Sequence, residues 1–267
     1  VAHTMTSITA LDTAGSARFR VALFATFLAD LFSPSVSFAS IQLLEEAGCE
    51  VVVPECQTCC AQPAYNTGDY ESAAPLARDV VALLEPYDYV VIPSGSCAGM
   101  ISHHYPRLLE GEWRQRARDL AAKTYELTTF LAEVAKLERT QALDPGAAVT
   151  YHDSCAGLRE LGIRQQPREL LQQLCNVTVT EMDQTDVCCG FGGTFCAKMP
   201  EISAKMADDK LANAGRTGAG ILAGGDLGCL LNLAGRARRQ SIDIDVRHVA
   251  EILAGDTTPA LGKTQER

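Results

Sequence analysis

The chain has 267 residues, 47% hydrophobic and 21% charged, and a formal net charge of −10. That length supports one large domain or two of about 130 residues, each with its own core. The acidic balance excludes nucleic acid and an anionic membrane surface as partners, since both need a basic face, and no apolar run reaches the roughly 20 residues of a membrane-spanning helix.

Residues 1–16 are polar and rich in small side chains, without the apolar stretch of a secretory signal. They read as a flexible tail, and a cytoplasmic location follows. "RFRVALFATF" (18–27) is an apolar, strand-like run. A helix then starts at Ser33–Pro34 and stops at Gly48, with Val36, Leu43, Leu44 and Ala47 on one face. "CEVVVPE" is a second strand leading into "CQTCC". After a helix over 70–84, "YDYVVIPSGSC" is a third strand ending at Cys97.

The second half repeats this order. "AAVTYHDSC" is a strand ending at Cys155, "QPRELLQQLCN" a helix opened by Pro167, and "VTVTEMD" a strand running toward Cys188 and Cys189. A helix covers 201–214, "AGILAGGDLGC" is a strand ending at Cys229, and "SIDIDVRHVAEILAG" adds a last strand and helix. The turn-rich segment 137–148 is the linker. These elements predict an α/β fold of two pseudo-repeated βαβ lobes with mainly parallel sheets and cysteine-rich loops at the strand C-terminal ends. The lobes are 17–140 and 147–256, and 257–267 is a second flexible tail.

Cys155 and Cys188 lie 33 positions apart, and Cys189 and Cys229 lie 40 apart; Cys60 and Cys97 lie 37 apart. Counting 32 back from Cys59 reaches Phe27, so the first lobe lacks one thiol of the repeat. Ligands of parallel α/β sheets bind at strand carboxyl ends, where Cys155, Cys188, Cys189 and Cys229 would converge. Four thiolates complete a site for an iron–sulfur cluster or for zinc. Gly190, Gly192 and Gly193 let backbone approach such a group closely. Adjacent cysteines converge only at a sharp turn or by bridging two metal atoms of a polynuclear cluster, and the second option favours iron–sulfur over mononuclear zinc. No ferredoxin run, C-x-x-C…C-x-x-C zinc pattern, Rossmann fingerprint, P-loop or hydrolase elbow is present.

Among the other residues, Cys49 and Cys175 read as small buried hydrophobes. His152 is weighed between a cluster contact and a backbone-satisfied strand-end histidine. Asp226 reads as a helix or turn cap, and His103, His104, His248, Trp113 and the basic run 114–123 read as structural or solvated.

The stretches "HDSC", "CCGFGGTF", "KMPEIS", "GDLGCLLN", "DLFSP", "QTCCAQPAYN" and "PSGSCAGM" together resemble the CCG (cysteine-rich) domain family, over about residues 18–254. The likeness is greatest to its lactate-utilisation branch; the iron–sulfur subunit of glycolate oxidase and the cysteine-rich subunit of heterodisulfide reductase are further members. The resemblance implies two modules, each a cluster site, with a four-iron cluster in the complete set Cys155, Cys188, Cys189 and Cys229. It implies an electron-transfer subunit of a bacterial L-lactate (2-hydroxy acid) oxidation complex, working with companion iron–sulfur and accessory subunits and contributing no catalytic base. The first module departs from the family at Phe27, where cysteine is usual, and at Ala61, where glycine is usual. That leaves Cys59, Cys60 and Cys97 as a degenerate site, with Cys56 as a substitute ligand. The alternatives are a zinc-binding structural module and a thiol/disulfide redox protein of heterodisulfide reductase type.

Overall fold

The computed structural model describes residues 19–138, 147–175 and 177–263. The first half runs β1 (Arg20–Leu23), α1 (Phe27–Phe32), α2 (Pro34–Glu46), β2 (Glu50–Val52), α3 (Gln62–Asn66), α4 (Tyr70–Leu84), β3 (Tyr89–Ile92) and α5 (Gly95–Gly99). A π-helical turn over Met100–His104 leads to α6 (Tyr105–Leu108), α7 (Gly111–Ala121), β4 (Thr124–Glu126), α8 (Leu127–Thr129) and a second π-helical turn over Phe130–Val134. The second half runs β5 (Ala147–His152), α9 (Cys155–Leu161), α10 (Gln165–Gln172), β6 (Val177–Val179), α11 (Phe195–Lys198), α12 (Pro200–Arg216), β7 (Ile221–Gly224), α13 (Leu227–Arg239), β8 (Asp245–His248) and α14 (Val249–Ala254).

Two four-stranded sheets result, ordered β2-β1-β3-β4 and β6-β5-β7-β8, and every strand pairing within them is parallel. The predicted α/β class and the repeat are therefore both present. Apolar strands such as "RVAL" and "YVVI" are buried on both faces, as parallel sheets require. Because side chains alternate along a strand, Val21, Leu23 and Val91 face a core shared with Val149, Tyr151 and Ala223 of the other sheet. Ala22, Val90 and Ile92 face away, toward α4 and α7. Leu222 and Val246 do the same toward α12 and α13.

The lobes are tied together by symmetric pairs of elements. Helix α5 packs on α9 and α1 on α13; α2 packs on α14 and α10 on α8. Approach is close at α5–α9, where a Cβ on Gly95 would lie 2.9 Å from Gly157 Cα. The helices that follow β1, β3, β5 and β7 therefore pack across the lobes, which brings the carboxyl edges of both sheets to one central cleft.

Some sequence expectations shift. Phe27 opens α1 rather than closing a strand, and α10 begins two residues before Pro167. The strands expected to end at Cys97, Cys155 and Cys229 stop earlier, at Ile92, His152 and Gly224, because a helix starts at or just before each cysteine and takes it into its first turn. Strand β4 is not predicted, because three residues carry no clear period. Residues 1–18 and 139–146, which hold the amino-terminal tail and most of the linker, lie outside the described residues, as do 264–267. Residues 257–263 are anchored: Leu261 N–H donates to Val246 O at 3.0 Å, and Ala260 is buried. Cys49 is buried, but Cys175 is exposed, just past the last turn of α10 and outside its apolar stripe. No described helix is long and apolar enough to cross a membrane.

Candidate metal centre

Each thiol of the second lobe is delivered by a specific local structure. Strand β5 leads to Ser154, whose hydroxyl accepts from Gly157 N–H at 3.2 Å and starts α9 with Cys155 as its first residue. Cys229 is the third residue of α13, after β7. Cys188 and Cys189 ride the loop between β6 and α11. Gly190 sits at φ 86°, where a side chain would meet Ser203 O at 2.6 Å. Only glycine fits there, and the turn it makes aims Gly190 N–H at Cys188 Sγ, 3.4 Å away. Gly192 and Gly193 also take positive φ, and Asn232 Nδ2 holds Cys189 O at 2.9 Å.

The four thiols form one chain of contacts, Cys155 to Cys188 to Cys189 to Cys229. Cys189 and Cys229 are buried; Cys155 and Cys188 are half-buried against a cavity of about 140 Å³. Hydrogen bonds from Cys155 and Cys189 pull Cys188 far below an ordinary thiol, while donation to Cys188 pushes Cys155 and Cys189 up. Cys229 is drawn down by Cys189 but raised overall by burial. Thiols sharing protons this closely release them together when thiolates take a metal.

His152 completes the group. Its ring is fully buried at the end of β5, and a ring nitrogen lies within 4.8 Å of the Cys189 and Cys229 sulfurs. Burial, and then the Lys210 charge, push its pKa down to about 3. Lys210 is itself buried, its ammonium donating to Gln184 O (2.5 Å) and Thr185 O (3.1 Å) and feeling the charges of Cys189 and Cys188. Soft thiolates, an imidazole and a buried cation that offsets their negative charge fit an iron–sulfur cluster or a tetrathiolate metal.

The first lobe repeats this scaffold one thiol short. Thr26 caps α1 as Ser154 caps α9, so Phe27 occupies the position of Cys155. Ser94 caps α5, which carries Cys97 at the third position, as α13 carries Cys229. Ala61 adopts φ 65°, matching Gly190. Cys60 is buried and its thiol donates to Cys97 Sγ at 3.2 Å. Cys59 is lowered to about 6, chiefly by the Cys60 thiol, with burial opposing. Phe27, Cys59, Cys60 and Cys97 line a cavity of about 290 Å³. Cys56 is exposed and lines a different hollow, which shares only Phe27 and Cys59 with that cavity.

The two cysteine sets share one cleft. Phe191, Gly193 and Asp226 of the second lobe line both cavities, as do Gln62 and Ser96 of the first. Asp226 stands at the N-cap position of α13 but makes no cap with its side chain. Its carboxylate instead accepts from Ser96 N–H (2.9 Å) and Ser94 O–H (3.2 Å), stitching the lobes between the two sites and correcting the capping role expected of it.

Other residues fall where local structure suffices. His248 caps α14 through Nδ1, and Arg116 in the basic run pairs with Glu85 and covers Trp113. Cys196 points its thiol at Gly193 O and lines a hollow outside the cleft. His104 makes more contacts than expected, bridging Tyr65 (3.2 Å) and Glu160 (3.1 Å) at the rim of the second site. Among the described site residues, sequence reasoning misses Phe191 and Lys210. A lysine in the apolar stripe of α12, with Ser203, Ala207, Leu211 and Ala214, is the available signal.

A family model for the cysteine-rich domain, CCG, matches this chain twice, over residues 21–102 and 149–234. The chain belongs to the CCG cysteine-rich domain family. Each match spans one lobe from its first strand to the helix carrying Cys97 or Cys229. Among curated CCG relatives, lactate utilization protein A of Geobacillus sp. (strain WCH70) is 45% identical over 236 residues, 88% of this chain and 98% of that one. The protein of the same name from Bacillus thuringiensis (strain Al Hakam) is 44% identical with the same coverage. Among solved structures, a LacI-family transcriptional regulator from Burkhoderia phymatum covers 85% of this chain and 78% of its own at 11% identity and a TM-score of 0.24, too weak to carry any argument.

Proposed function

We propose that this CCG protein is an iron–sulfur electron-transfer subunit of a bacterial system that oxidises L-lactate or a similar 2-hydroxy acid. In this reading 147–256 is a complete module, with Cys155, Cys188, Cys189 and Cys229 holding a four-iron cluster. The module 17–140, with Cys59, Cys60 and Cys97, is degenerate at Phe27. The observation that carries the proposal is the convergence of four thiols from three separate segments on one sheet edge, beside a buried lysine and an unpartnered histidine. Two relatives named lactate utilization protein A, similar over nearly their whole length, support the substrate class.

A bound cluster supplies reversible one-electron transfer. The chain's own residues prepare the place for it. Ser154 and the left-handed Gly190 fix the backbone that aims Cys155 and Cys188. Lys210 offsets the charge of the thiolates, and Phe191 lines the cavity beside them. Hydroxy-acid oxidation itself is assigned to companion iron–sulfur and accessory subunits. A reducing cytoplasm suits eleven cysteines.

The test is iron, acid-labile sulfide and zinc per chain after purification without oxygen, with EPR before and after dithionite. About four irons and four sulfides with a reducible signal are expected. Stoichiometric zinc without iron would refute the proposal in favour of a structural metal module. Reduction of the centre by lactate, once companion subunits are added, checks the pathway; turnover of a disulfide substrate without them would refute it.

A further inference from the structure

We propose that His152 is the hydrogen-bond donor that tunes the second-lobe centre: its ring N–H is aimed at a sulfur of the group held by Cys155, Cys188, Cys189 and Cys229. The inference rests on the iron–sulfur reading above. It stands on three features of the residue. The ring is 1% exposed, so water does not serve it. Among the described residues neither Nδ1 nor Nε2 has a hydrogen-bond partner, although buried imidazoles ordinarily find one. And the ring is fixed beside the thiols, because β5 pairs with β7 in a register that sets His152 opposite Gly224, while Cys189 and Cys229 lie within 4.8 Å.

The surroundings leave the ring no other task. Lys210 spends its ammonium on Gln184 and Thr185. Asp153, the next residue, is turned to the Arg168 guanidinium at 2.8 Å. His248 ends β8 as His152 ends β5, yet its Nδ1 accepts from Ala250 N–H and starts a helix. In β5 that duty falls to Ser154, two residues later, so the imidazole is left facing the sulfurs. Four thiolates already complete a coordination set, and a ring with one N–H serves such a set as a donor. Donors to cluster sulfurs stabilise the more negative, reduced state and raise the potential.

The experiment compares wild type, His152→Leu and His152→Gln, all purified without oxygen. It reads iron and sulfide content, circular dichroism and the midpoint potential from an EPR-monitored redox titration. His152→Leu is expected to keep its iron and to show about a tenfold lower reduced-to-oxidised ratio at fixed potential, 59 mV for a one-electron couple. His152→Gln, which retains an N–H, recovers most of that shift. An unchanged potential in His152→Leu overturns the proposal. Iron lost from both folded variants makes His152 a ligand and also overturns it. Should His152→Leu not fold, pulsed EPR of wild type labelled with ¹⁵N-histidine decides: a weak nitrogen coupling supports a donor, whereas a strong coupling or none overturns it. Wild type without iron would instead fail the iron–sulfur reading itself, and this inference with it.

Discussion

Replacing Phe27 by cysteine restores the missing thiol of the first lobe. Phe27 is the first residue of α1, under the Thr26 cap, as Cys155 is the first of α9 under Ser154. The new sulfur therefore starts from the backbone position that serves the second site. Phe27 is 58% exposed, so the change forfeits only the covered part of a ring that buries about 200 Å² when enclosed. At about 25 cal/mol per Å², the cost is at most about 2 kcal/mol, before the retained Cβ and sulfur are credited. For a chain of this size that lowers Tm by roughly 2–4 °C per kcal/mol, and the fold survives. Iron and sulfide should rise from about four to about eight per chain, with a second EPR signal after reduction. A folded Phe27→Cys protein with unchanged iron would refute the view that one absent thiol silences the first lobe.

Cys229→Ala should remove most of the bound iron and Cys97→Ala little; equal losses in elemental analysis would contradict a lone loaded site. Gly190→Ala should cost more than about 2 kcal/mol in denaturant melts, because a left-handed non-glycine residue costs about 1–2 kcal/mol and the new Cβ would sit 2.6 Å from Ser203 O. Ala61→Gly, at φ 65°, should gain about 1 kcal/mol by relieving the same strain. Burial raises the Glu126 carboxyl to about 7, above its unfolded value of about 4.3. The folded state then binds the extra proton, so the Glu126 contribution to stability is full below about pH 4 and is lost as pH rises through 7, by on the order of 3 kcal/mol. Glu126→Gln should flatten that slope in urea melts taken from about pH 4.5 to 8; an unaltered slope would assign the effect elsewhere.

The strands and long helices were legible because their apolar patterns are local. "RVAL", "YVVI" and "ILAG" can only be buried strands in alternation with helices such as Tyr70–Leu84. The doubled order of elements exposed the repeat, and the cysteine spacing exposed Phe27 as the odd position. Strand β4 and the helical turn at Phe27–Phe32 were not legible, since segments of three to six residues carry too few periods to read. Cys175 proved exposed rather than buried because a lone thiol carries no sign of which way its helix end faces.

Chain order and residue type alone determined the α/β class, the two modules and the thiol that the first module lacks at Phe27. These depend on hydrophobic period and spacing, which are properties of neighbours in sequence. Tertiary structure decided that both strand-end edges face one cleft, because that rests on α5 meeting α9 and α2 meeting α14 across the lobes. Only there does Asp226 leave its own helix for Ser94 and Ser96, Lys210 feel the charge of the thiols, and His152 lie buried beside Cys189 and Cys229 with no hydrogen-bond partner among the described residues. Burial and cross-lobe distance are set by packing between residues far apart in the chain, and no local pattern encodes them.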